Sequence, residues 1–273
     1  MMEFIAQAGL AYIVFIGAMY YFQDSFLYFP QKDMLEPSEF GLPEFEPLGV
    51  VTQDEERLML WWKPPLPNYP VVIYFHGNAG HLGMRAEKLA AFAAQGLGVL
   101  GVSWRGYGAS TGLPSERGLY EDGRAALVLA LEHLGVAQEK IILYGESLGT
   151  GVAVQLGTLD KLGLIVLEAP YLSVVKRAEE KFPYLPIRYM LKSRFDSVGK
   201  IGALKSPLLI LHGERDEIIP VRHGRALLEA APDPKKGIFL PTVGHSDFSP
   251  QLLATEVMAY AREQGLLPER DQP

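Results

Sequence analysis

The sequence predicts an α/β fold: a mostly parallel twisted sheet with helices on both faces, carrying an N-terminal membrane helix and a short cap insertion. Three observations carry this expectation. From Val71 onward, short apolar runs alternate with segments of helical period, the pattern of strands joined by crossover helices. The first of these runs, VVIYF at 71–75, is apolar at every position, as a strand buried on both faces requires. Residues 4–22, FIAQAGLAYIVFIGAMYYF, contain no charged side chain.

The uncharged stretch is nineteen residues long. At about 1.5 Å per residue a helix of that length nearly spans a hydrocarbon core of about 30 Å, and Tyr20-Tyr21-Phe22 suits the interface. The start MMEF lacks the basic region of a signal peptide, and no small-residue cleavage site closes the segment, so a retained anchor is expected. A helix lying in the interface would need a charged face, and none is present. Lys32 is the basic side chain nearest the anchor and favours the cytoplasmic side for the domain that follows. Residues 1–30 are thus read as anchor and connector, and 31–273 as one domain.

Pro37, Pro43 and Pro47 forbid a long helix after the connector. Strands at 50–52 and 58–62, joined by the polar turn 53–56, form an antiparallel hairpin that opens the sheet. Beyond 71–75, helices are expected at 82–95 and 116–134, and strands at 97–103, 140–144 and 163–168. After an interruption come a strand at 207–212, a helix at 221–231, a short strand at 237–240 and a last helix at 247–265. The interruption, about 171–205, follows a strand's C-terminal end, so it lies over the sheet edge where open α/β folds bind ligands. It is read as a cap whose Phe182, Tyr184, Leu185 and Tyr189 line an apolar pocket.

Composition narrows the chemistry. With 273 residues, 48% of them hydrophobic, the chain can bury a sizeable core. A net charge of −7 and no long Lys/Arg cluster argue against a nucleic-acid surface and for an apolar or neutral small-molecule substrate. The absence of cysteine excludes disulfides, thiolate metal sites and cysteine nucleophiles. No H-x-H or H-E-x-x-H cluster is present, so neither a metal nor a cofactor is called for.

The chemistry is expected at Gly145-Glu146-Ser147-Leu148-Gly149, where an apolar strand delivers a serine flanked by glycines two residues away on either side. The helix that follows offers N–H groups without intrahelical partners, suited to a developing oxyanion. A serine hydroxyl needs a base to activate it and an acid to orient that base. Of six histidines, His76 and His212 end apolar strands and read as structural, whereas His81, His133 and His223 fall on or near helices. His245 stands in the loop after the last strand, behind Gly244, and is the candidate base. The orienting acid lies in the loop after 207–212, where spacing alone allows Glu214, Asp216 or Glu217.

Four motifs together resemble the α/β-hydrolase superfamily over residues from about 50 to the C-terminus: His76-Gly77-Asn78-Ala79-Gly80, the Ser147 pentapeptide, His212-Gly213-Glu214-Arg215-Asp216, and Gly244-His245. The connector Leu27-Tyr28-Phe29-Pro30 and the segment 105–112, RGYGASTG, are similar to the Bem-like small serine hydrolases with a single N-terminal membrane anchor. Ser103 departs from that group, which usually has an aspartate there before the aromatic and the arginine, so a local salt bridge is expected to be missing. The resemblance implies an α/β-hydrolase fold, Ser147 as nucleophile, Asp216 as the acid, His245 as base, and the backbone N–H groups of Asn78 and Leu148 as oxyanion donors. With the anchor and the apolar cap it implies a membrane-bound carboxylester hydrolase of lipid-like acyl esters, such as monoacylglycerols or lysophospholipids. An acyl-protein or acyl-CoA thioesterase would use the same machinery, and a catalytically silent membrane scaffold is the reading from another class.

Overall fold

The computed structural model describes residues 1–33 and 36–268. Eight strands form one sheet: β2 (Glu46–Val51), β3 (Arg57–Lys63), β4 (Val71–Phe75), β6 (Gly98–Val102), β7 (Ile141–Glu146), β8 (Leu164–Glu168), β9 (Leu208–Gly213) and β10 (Lys235–Leu240). Their spatial order is β10-β9-β8-β7-β4-β6-β3-β2. The pairings from β6 through β4 to β10 are all parallel, and the opening hairpin β2–β3 is antiparallel. β2 starts earlier than expected and includes Pro47, which an edge strand tolerates because a missing N–H there costs no ladder bond.

Alternation along the central strands feeds two cores. Ile141, Leu143, Ile165 and Leu167 pack with α3 (Glu116–Val128) and α4 (Gly149–Gly157) on one face. Ile142, Tyr144, Leu164 and Val166 pack with α2 (Ala86–Ala94) and α8 (Pro250–Glu263) on the other. α7 (Arg222–Ala230) adds Leu227 to the first core. The segment expected as one helix at 116–134 is helical to His133, and its last turn, Leu129–His133, widens into a π turn.

Strand order reverses at β4, which lies between β6 and β7. The in-register pairs Phe75↔Gly145, Glu146↔Glu168 and Glu168↔Leu211 align the C-terminal ends of β4, β7, β8 and β9 along one edge. That edge, at the topological switch point, is where the connecting loops meet.

The cap consists of α5 (Val174–Lys181), α6 (Ile187–Met190) and a short 3-10 turn at Ile201–Ala203. The N-terminal helix α1 (Met2–Leu27) runs five residues past the uncharged stretch and is long and apolar enough to cross a membrane by length and composition. It does not stand apart from the domain. Ile16 and Met19 pack on the cap cluster of Val175, Leu185, Ile187 and Met190, and Gln23 is buried. A second, two-stranded sheet, β1 (Phe29–Pro30) with β5 (Ala79–Gly80), joins the connector to the loop after β4. Nothing in the residue pattern at 29–30 or 79–80 had marked a strand, because each is only two residues long.

Candidate active site

Ser147 sits between the end of β7 and the start of α4 with φ 49°, a left-handed conformation that costs a non-glycine residue on the order of 1–3 kcal/mol. The flanking glycines make the turn possible. A Cβ on Gly145 would lie 2.6 Å from the Gly149 carbonyl oxygen, and one on Gly149 would overlap the Phe75 carbonyl. Ser147 N–H donates to the Glu168 carbonyl at 2.9 Å, and Thr150 Oγ1 donates to the Ser147 carbonyl at 2.6 Å, fixing both peptides of the serine.

His245 Nε2 lies 3.1 Å from Ser147 Oγ, and its Nδ1 lies 2.7 Å from Asp216 Oδ2. The other Asp216 oxygen accepts N–H bonds from Ile218 at 2.9 Å and Ile219 at 2.7 Å. His212, the penultimate residue of β9, places Nε2 3.3 Å from Asp216 Oδ2 while donating to the Ile219 carbonyl at 2.8 Å. The carboxylate is fully enclosed, whereas the His245 ring keeps 19% of its surface open. Burial alone would raise the Asp216 pKa, but the bonds from His212, His245 and Ile219 outweigh it and hold the carboxyl well below the usual carboxylate range. Of the acids that spacing allowed, Glu214 instead pairs with Arg225 at the surface and Glu217 lies at the cavity wall.

The loop after β4 is clamped from three sides. The Asn78 carbonyl accepts from Phe29 N–H at 2.9 Å and from Tyr107 Oη at 2.7 Å, and Asn78 Nδ2 donates to the Leu27 carbonyl at 2.9 Å. The connector at 27–30 is therefore part of the scaffold of this loop. Among the described residues, neither Asn78 N–H nor Leu148 N–H meets an acceptor. His76 is fully buried, with Nδ1 bonded to the Gly77 carbonyl at 2.7 Å and Nε2 without a partner among the described residues. Its burial drives the pKa down to about 3, so it is a neutral structural ring.

Beneath the serine lies a charge cluster that motif reading missed. Glu146 bonds to Arg85 at 3.0 Å, to Lys88 at 3.1 Å and to Tyr74, and Lys88 reaches Glu168 at 2.7 Å. Burial would push the Glu146 carboxyl up, but Lys88 and Arg85 prevail and hold it well below the usual range. Burial prevails at Glu168, whose pKa is raised, with the adjacent Glu146 charge adding to the effect. Arg105 is not left without a partner by Ser103: it bonds to Asp122 at 2.8 Å and to Asp54 at 2.7 Å. The Ser103 hydroxyl instead donates to the Tyr107 carbonyl at 3.1 Å.

Ser147, His245, Asn78 and Leu148 face a cavity of about 910 Å³. Phe182 and Leu185 of the cap line it, but Tyr184 and Tyr189, expected there, do not. They are 64% and 82% exposed. In α6, Ile187 and Met190 stand one helical turn apart and turn inward, which points Tyr189 out. Met19, Gln23, Phe26 and Leu27 of α1 also line it, residues expected in the anchor and connector rather than at the site. Their signal was present in the sequence as Gln23, a polar residue in helical register with Met19, Ile16 and Tyr12.

A family model described as "Serine aminopeptidase, S33" matches residues 67–200, which include Ser147 but end before Asp216 and His245. Protein bem46 of Schizosaccharomyces pombe is 34% identical over 238 residues, covering 80% of this chain and 78% of its own. The chain belongs to the Bem46-like α/β-hydrolases. The "Uncharacterized protein Rv2307c" of Mycobacterium tuberculosis is 35% identical over 256 residues, covering 93% of this chain and 89% of its own. Among solved structures, the Pyrococcus furiosus esterase Pf2001 superposes with a TM-score of 0.69 at 19% identity over 88% of this chain and 98% of its own. An acetyl xylan esterase from Paenibacillus sp. R4 does so at 0.67 and 20% identity, over 85% and 88%. At such identities the likeness is one of fold, and it agrees with the Bem46-like assignment.

Proposed function

We propose that this Bem46-like chain is a membrane-bound serine hydrolase that cleaves lipid-like carboxylic esters of the monoacylglycerol or lysophospholipid type through an acyl-enzyme on Ser147. The observation that carries the proposal is the unbroken hydrogen-bond line Ser147–His245–Asp216 at the base of a cavity walled by apolar cap and α1 side chains. Ser147 Oγ attacks the ester carbonyl carbon while His245 Nε2 takes its proton. The tetrahedral oxyanion is held by the N–H groups of Leu148 and Asn78, each donor contributing on the order of 3 kcal/mol at the transition state. His245 returns the proton to the departing alcohol as the C–O bond breaks. A water then attacks the acyl-enzyme by the same route and frees the acid. Asp216 keeps the Nδ1 proton in place and stabilises the imidazolium without itself taking the proton.

The test is a panel of esters of increasing acyl length, with thioesters of matched length, offered to the full chain and to Ser147→Ala. The proposal expects serine-dependent turnover that rises with acyl length. A preference confined to short water-soluble esters would refute the lipid substrate, and a thioester preference would reassign the leaving group. Absence of serine-dependent turnover of any ester or thioester would refute the hydrolase.

A further inference from the structure

Gln23 is the residue of α1 that the fold buries. Its Nε2 donates to the Met190 carbonyl at 3.2 Å and to the Tyr20 carbonyl at 2.6 Å, and its Oε1 accepts Lys192 N–H at 2.7 Å. A membrane anchor that served only as a tether would need no side chain tied to the backbone of the cap. Higher on the helix, Ile16 and Met19 pack against Leu185, Ile187 and Met190, and Tyr12 Oη donates to the Tyr184 carbonyl at 2.8 Å. Tyr12, Ile16, Met19 and Gln23 recur at intervals of four, three and four, which is one stripe of an α-helix. The cavity containing Ser147 is lined by Met19 and Phe26 of α1 together with Leu185 and Met190 of the cap, the residues that meet along this contact.

On the membrane-bound reading proposed above, the height of the contact sets this seam at the bilayer surface. The cap reaches up α1 to Tyr12, leaving Met2 to Ala11, ten residues, clear of it. That is about 15 Å of helix, roughly half of a 30 Å hydrocarbon core. Entering one leaflet by its free end, rather than crossing both as its length alone suggested, α1 sets the seam where acyl chains meet headgroups, with Tyr184 at the contact and its ring and that of Tyr189 exposed as interfacial aromatics are. In water the apolar stripe is driven against the cap. In a bilayer, lipid chains solvate both sides equally well and the hydrophobic drive for closure disappears, leaving the Gln23 bonds as the main tie.

We infer that the seam between α1 and the cap is a lateral portal, latched by Gln23, through which the acyl chain of a bilayer-resident ester slides past Met19 and Phe26 to bring its carbonyl to Ser147. The inference rests on the ester-hydrolase reading and adds where the substrate comes from. The substrate it selects is a single-chain acyl ester drawn from the leaflet, whose headgroup stays at the interface beside the cap.

Two measurements on the full-length protein in phosphatidylcholine vesicles test it. The first is the ratio of turnover of 4-methylumbelliferyl oleate in the vesicles to that of 4-methylumbelliferyl acetate in water. Met19→Trp, which fills the portal, lowers this ratio at least ten-fold, whereas Val14→Trp on the lipid-facing side of α1, where Val14 is 63% exposed, leaves it unchanged. An unchanged ratio in Met19→Trp, with both esters still hydrolysed, overturns the portal and leaves the hydrolase standing. No hydrolysis of either ester by the wild type overturns both. The second needs no variant. A long-chain fluorophosphonate with a diazirine along its chain reacts at Ser147, forming the O–P bond with loss of fluoride, and is then photolysed. The portal predicts cross-links to α1 between Met19 and Leu27, and cross-links confined to the β9–α7 loop around Ile219 overturn it.

Discussion

Asp216 spends one oxygen on two backbone N–H groups and the other on His245 and His212, so it is oriented by the chain as well as by the histidines. An asparagine keeps the backbone bonds through its carbonyl but turns an NH2 group towards His245 Nδ1, forcing the wrong tautomer. Asp216→Asn is expected to lower kcat about 10⁴-fold with the fold intact, measured by ester turnover beside circular dichroism. Because the carboxyl is held below its ordinary range, Asp216 contributes stability that is complete above an ordinary carboxylate pKa and is lost only as pH falls through its lower folded value. His76 acts at higher pH. Its folded pKa of about 3 lies below the unfolded value near 6.5. The unfolded chain therefore takes a proton that the folded one refuses, and stability is lost as pH falls from 6.5 towards 3, by up to about 1.4 kcal/mol per pH unit. Urea titrations across that window should show the decline, and His76→Asn should flatten it.

At the scale of elements, the serine turn depends on the ends of β7 and β8 being held together from below. Glu146 and Glu168 face each other across Lys88, a buried arrangement that loses its balance if the ammonium is removed. Lys88→Met is expected to destabilise the protein by about 3–5 kcal/mol, because it leaves buried Glu168 without its cation beside Glu146, which keeps Arg85. Urea midpoints report this, and part of the loss should be recovered by adding Glu168→Gln, which removes the second charge. The strands themselves were legible in the sequence because their burial on both faces writes continuous apolar runs, and the turn was legible because only glycine fits at 145 and 149. The cluster beneath was not, since Arg85 with Lys88, Glu146 and Glu168 lie on three separate segments and read individually as solvated charge. The same limit explains Tyr184 and Tyr189: composition marked the cap as apolar, but which ring turns inward depends on the register of a four-residue helix.

For the whole molecule, the uncharged run at 4–22 was plain from the sequence, whereas its docking on the cap depends on a tertiary contact that hydropathy does not encode. The structure divides α1 into an outer part, which meets only its surroundings, and an inner part, which walls the cavity. Ile5 and Leu10, 64% and 63% exposed, belong to the outer part. Changing both to Asp places two charges in hydrocarbon at about 2.5–3.5 kcal/mol each near a membrane centre. The double variant is expected to lose co-flotation with vesicles while still hydrolysing soluble short esters, since neither residue lines the cavity.

The central claim is that Ser147 is the nucleophile of this Bem46-like hydrolase. Intact-protein mass spectrometry after treatment with a fluorophosphonate tests it most directly, with peptide mapping of the adduct. The structure predicts one phosphonyl group per chain, carried on Ser147, and none on folded Ser147→Ala. An unmodified wild-type protein, or an adduct that persists in Ser147→Ala, would contradict it.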